Sequence, residues 1–191
     1  MVRFQDYTLL DEQPAISASV QLFTAKSHDG QHLLLKRCNK ELSKALDRFK
    51  ATLLLQQQLK ITGISKPCET FEDEKYSYAV FPHDQSSQTL LETCDQNKLE
   101  LAEKLILAIN LCQLVHELHA RKLILNSVNP DKIYLTPDLQ VEIIDLSHAA
   151  KVSVISKKLS LGQLDKQQLV TISPEATGRV NRAVEQRSDL Y

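Results

Sequence analysis

Asp29-Gly30 stands between two apolar runs, Val20-Gln21-Leu22-Phe23-Thr24-Ala25 and His32-Leu33-Leu34-Leu35-Lys36-Arg37. No other short stretch constrains the chain as much. A tight turn between paired strands needs positive φ, which glycine adopts without steric cost, so Ser27-His28-Asp29-Gly30 predicts an antiparallel hairpin. The first part of the chain is therefore expected to be built on a sheet. Residues 46–59 then follow helical spacing: Leu46, Phe49, Leu53 and Gln56 lie three or four apart, with no Gly or Pro between them. Residues 76–81 read as a strand that stops at Pro82, and residues 83–88 are polar and loop-like.

The second part is led by a long helix over residues 99–120. Leu101, Leu105, Ile109, Cys112, Val115 and His119 keep its spacing, and Ala108, Leu111 and Leu118 widen the stripe. A helix apolar over so much of its surface is expected to be buried on most sides. Two short strands follow, residues 133–135 and 141–144, joined by the turn signal Thr136-Pro137-Asp138, with Asp145 just beyond the second. The order of elements predicts an α+β fold, strand-rich first and helix-led second. A chain of 191 residues suffices for one ordinary domain or two small lobes.

Composition excludes several function classes. A net charge of −1 offers no global attraction for nucleic acid or an anionic membrane. Cys38, Cys68, Cys94 and Cys112 form no C-x-x-C pair and suit neither a zinc ribbon nor a disulfide framework, which reads as separate reduced thiols in the cytoplasm. The first residues hold no apolar leader core, and no apolar run approaches membrane-spanning length.

The motifs that carry function come late. The stretch from His119 through Leu125-Asn126-Ser127-Val128-Asn129-Pro130-Asp131-Lys132 to Ile133 resembles a protein-kinase catalytic loop, and Ile143-Ile144-Asp145-Leu146-Ser147 resembles the metal-binding D-F-G. Ser173-Pro174-Glu175 resembles A-P-E, and Arg187-Ser188-Asp189-Leu190-Tyr191 resembles the start of the helix that anchors the kinase C-lobe. The most specific block, Ser173-Pro174-Glu175-Ala176-Thr177-Gly178-Arg179-Val180-Asn181-Arg182, is similar to the S-P-E-Q-T-G-R-x-N-R run of the kinase-like N-terminal domain of large bacterial hybrid sensor proteins. In that family an AAA-like ATPase region, a GAF domain and often a histidine kinase follow. The resemblance implies a protein-kinase-like bilobal fold, with residues 1–83 as the strand-rich N-lobe and residues 84–191 as the first part of a helical C-lobe. It also implies a truncated lobe, because the chain stops where the anchoring helix would begin; Leu105, Ile109 and Val115 would then lack part of their cover.

Phosphoryl transfer needs charge neutralisation, metal sites and a base for the attacking hydroxyl. By resemblance, Lys36 takes the place of the ATP-anchoring lysine, although a solvated strand lysine would look the same in sequence. Its glutamate partner is replaced by Thr52; Gln56 could accept a hydrogen bond but brings no charge. The segment between Leu10 and Gln21, where a glycine-rich loop belongs, has no glycine. Leu125 replaces the H-R-D histidine, Ser127 its base aspartate, and Lys132 the asparagine that binds a second metal, while Asn129 matches the family's own N-P. A hydroxyl cannot serve as a carboxylate base, and losing a general base costs ~10²–10⁴ in rate. Asp131 reads as a metal-reaching acid or a turn aspartate, and Lys132 as a charge substitute for metal or a solvated loop lysine. Asp145 survives and could hold one Mg²⁺; Ser147 replaces the glycine after it. Glu175 and Asp189 are scaffold positions of the C-lobe.

His116 and His119 are expected to pack, and Thr171 and Ser173 carry hydroxyls in the activation-segment region. The expected function is a catalytically impaired kinase-like module, with weak ATP and Mg²⁺ binding or none, regulating or docking within a larger two-component sensor. The alternatives are an active Ser/Thr kinase and an interaction domain that binds no nucleotide. Its expected partners are other domains of the same signalling protein.

Overall fold

The computed structural model describes residues 6–17, 19–96, 99–151, 172–177, 179–180 and 182–190. The fold is α+β, in two compact units: residues 1–60 with 64–87, and residues 61–63 with 88–191.

The first unit is a five-stranded antiparallel sheet in the order β1 (Tyr7–Ser17), β2 (Val20–Ser27), β3 (His32–Asn39), β5 (Tyr76–Pro82), β4 (Glu69–Glu72). The β2–β3 hairpin turns at Gly30, whose φ is +86°, as the Asp-Gly signal requires. β1 was not legible as a strand, because residues 7–17 hold a proline and polar residues on both sides of any alternation. It pairs with β2 through two register shifts. One sheet face carries Phe23, Ala25, Leu33, Leu35, Tyr78 and Val80, flanked by Tyr7, Leu9, Phe71 and Tyr76. Phe71 and Tyr78 stack there with ring centroids 4.7 Å apart, and the Arg37 guanidinium lies 4.5 Å from the Tyr76 ring and 4.8 Å from Phe23. The helix α1 (Ser43–Gln58) lies against β3 and buries Phe49, Thr52, Leu53 and Gln56. It starts before the first apolar residue of the stripe, since Ser43, Lys44 and Ala45 form a solvent-facing first turn that hydrophobic spacing does not reveal.

In the second unit a short strand β6 (Gln88–Thr89) pairs with β8 (Ile133–Leu135), which pairs with β9 (Val141–Ile143). β7 (Leu123–Ile124) pairs with β10 (Ala150–Lys151). Thr89 caps α2 (Leu90–Asp95) reciprocally with Glu92, and Glu100 caps α3 (Leu101–Ala120) with Glu103. The expectation that α3 is buried on most sides is corrected. Its buried stripe is Leu107, Leu114, Val115 and Leu118, while Leu101, Leu105, Ile106 and Ile109 are exposed. The helix presents one face to the small sheets, and apolar composition does not say which residues that face will hold.

Gly63 closes this unit. Its carbonyl accepts from Ile143 N at 2.7 Å, its φ is +86°, and a Cβ there would sit 2.6 Å from the Val141 carbonyl oxygen. Gly30 shares the φ but has open space, its nearest neighbour being Lys26 Cε at 4.0 Å. Gly30→Ala is therefore expected to cost about 1 kcal/mol from the left-handed backbone alone, and Gly63→Ala ~3 kcal/mol because β9 must also move. Urea denaturation followed by circular dichroism ranks the two; equal losses would show that the approach of β9 is not tight.

Candidate functional site

The residues singled out in the sequence fall in both units. In the first, Lys36 occupies the middle of β3, with Leu22 opposite on β2 and Ala79 opposite on β5. It is 1% exposed, so the reading of a solvated strand lysine is excluded. Its ammonium lies 4.7 Å from the centroid of the Phe81 ring, in cation–π range. Arg37, one residue on, points to the other face, where Gln21 Oε1 accepts from it at 2.7 and 3.1 Å. Thr52 spends its hydroxyl on its own helix, donating to Arg48 O at 2.8 Å. Gln56 is fully buried and donates through Nε2 to Ser65 O at 2.8 Å.

In the second unit the loop after α3 is shaped from both ends. Lys122 N donates to His119 O at 2.9 Å, and Lys122 has φ +59°. β7 follows, and then Asn126 turns with φ +62°, a conformation asparagine tolerates better than most residues. Asn126 Nδ2 donates to His148 O at 2.8 Å, tying the loop to the segment beyond Asp145. Asn129 caps the 3₁₀ turn Pro130–Lys132, its Oδ1 accepting from Asp131 N at 3.1 Å. Ile144 N donates to Lys132 O at 3.2 Å, which brings the end of β9 beside the loop.

One carboxylate holds this arrangement. Asp189 Oδ2 accepts from Leu125 N at 2.8 Å, and Oδ1 from Asn126 N at 2.8 Å. His119 Nε2 lies 2.9 Å from Oδ2, and the imidazole donates because a carboxylate only accepts. The Asp189 side chain is 0% exposed. Nearby, Glu175 Oε1 accepts from Ser188 Oγ at 2.6 Å, and this bond holds the Glu175 carboxyl below its usual pKa. Ser188 was not singled out in sequence; no motif position marks a serine as the partner of Glu175.

The chemical positions contrast with this scaffold. Ser127 Oγ and Asn129 Nδ2 are buried and without a hydrogen-bond partner among the described residues. An unsatisfied buried polar group of this kind costs ~1–3 kcal/mol. Lys132 is 5% exposed and Asp131 6%, so neither is a solvated loop residue. Ser147, read as a lost glycine, has a use of its own: its backbone N, at 3.2 Å, and its hydroxyl both donate to Asp145 Oδ2. One expectation is corrected: His116 is exposed rather than packed, because it lies on the face of α3 turned away from Leu114 and Leu118. Ser173 is 2% exposed. Thr171, Gly178, Asn181 and Tyr191 lie outside the described residues.

These groups fit divalent metal unevenly. Asp145 offers a carboxylate to one Mg²⁺. An ammonium has three donors and no acceptor, so Lys132 cannot ligate a second. Among the described residues no group of three His, Cys, Asp or Glu side chains is placed to hold a metal ion. Neither a protein-family model nor a curated protein sequence matches the chain.

Asp189→Ala is expected to destabilise the protein by ~3 kcal/mol, since it strands two buried amide donors, while Asp189→Asn keeps one acceptor and costs less. Hydrogen exchange at Leu125 and Asn126 should accelerate in both variants; unchanged protection would show that the carboxylate does not hold the loop. Glu175 carries a pH signature. Its folded pKa is depressed, so its stabilisation is present above the ordinary carboxylate pKa and is lost as pH falls through the lowered folded value. Ser188→Ala should therefore narrow the stability difference between neutral and acidic pH. An unaltered pH profile would exclude the contribution.

Proposed function

We propose that the chain is a kinase-like signalling module with impaired phosphotransfer chemistry, which regulates or docks within a larger cytoplasmic sensor protein. The observation that carries this reading is a division between scaffold and chemistry around one loop. The Asp189 carboxylate, at the position that resembles the anchoring helix of a kinase C-lobe, accepts from two consecutive amides of the segment that resembles the catalytic loop. The same loop carries Ser127 where a base belongs and the buried Lys132 where a metal ligand belongs.

ATP with Mg²⁺ would supply the phosphoryl group in an active relative of this fold. By the resemblance, the nucleotide-facing positions are Lys36, a buried cation in the first unit, and, taken separately, Asp145, a carboxylate in the second. Thr52 gives Lys36 no counter-charge, and residues 11–17 run as strand rather than as a glycine loop. Binding is thus weak, and Ser127 brings no carboxylate to accept the proton of an attacking hydroxyl.

A second reading, an interaction module without nucleotide, is favoured by the exposed side of α3, where Leu101 is 72%, Leu105 56% and Ile109 55% exposed. Apolar surface gathered on one helix face suits contact with another protein surface. A thermal-shift titration with ATP separates the two readings, because ligand binding to the native state raises apparent stability.

Phosphotransfer by the full-length protein is expected to be undetectable, and Ser127→Asp, Lys132→Asn and Thr52→Glu should each fail to restore it. Groups that act as a unit are strongly non-additive, so repairing one leaves the others limiting. Autophosphorylation and transfer to a basic protein substrate are the measurements. Turnover in the wild type that Asp145→Ala abolishes would overturn the impaired reading and make the chain an active Ser/Thr kinase.

A further inference from the structure

We draw no further inference here: the strongest candidate, the exposed apolar face of α3, where Leu105, Ala108, Ile109, Cys112 and His116 line a cavity open to solvent, carries nothing beyond the contact surface already described, because nothing in the structure shows what covers it.

Discussion

A buried carboxylate is the constraint on which the second unit depends. Asp189 has no solvent to satisfy it, and a charge in that position must be fully hydrogen-bonded. It reaches across 64 residues of sequence to Leu125, 63 to Asn126 and 70 to His119. Each bond fixes something different. The two amides set the direction in which the loop leaves β7, and the imidazole fixes where α3 ends. The left-handed turns at Lys122 and Asn126 are the local cost of that path, and Asn126 also uses its side chain to hold the His148 carbonyl.

With its backbone held, the loop is free to vary in chemistry. Ser127 and Lys132 sit on a path set by Asp189, Asn126 and the 3₁₀ turn that Asn129 caps, and none of these bonds uses the side chain of Ser127 or Lys132. Backbone path and side-chain chemistry are thus separable in this loop, and function sits in the site and not in the fold. The first unit shows the same logic. Lys36 is buried in the central strand of its sheet and lies over the Phe81 ring, a rare placement for a lysine.

α3 has two unlike sides. Its inner stripe, Leu107, Leu114, Val115 and Leu118, packs the unit, and its C-terminal turn presents His119 to Asp189. The outer side holds Leu101, Leu105, Ile106 and Ile109 in a row with Ala102, Ala108 and Cys112 also exposed. A stripe of this composition differs from the charged outer face usual for a surface helix.

Sequence alone determined what depends on neighbours along the chain. The Asp29-Gly30 turn, the β2–β3 pairing, the strand ending at Pro82, the long α3 and the β8–β9 pair all follow from turn chemistry and hydrophobic period, and so does the α+β class. The candidate loop was also legible, because its residues are contiguous. Tertiary structure decided the rest. β1 has no turn signal or clean alternation, and its edge position emerges only from pairing with β2. Which side of α3 is buried depends on what packs against it, and a helix apolar on several sides carries no internal answer. The burial of Lys36 and Lys132, the use of Ser147 by Asp145, and the pairing of Ser188 with Glu175 all depend on groups whose orientation the linear pattern does not encode. Above all, the bonds from Asp189 to a loop more than sixty residues away leave no period or spacing to read, since hydrogen bonds between distant segments are specified by the packing of the whole unit and not by any stretch of it.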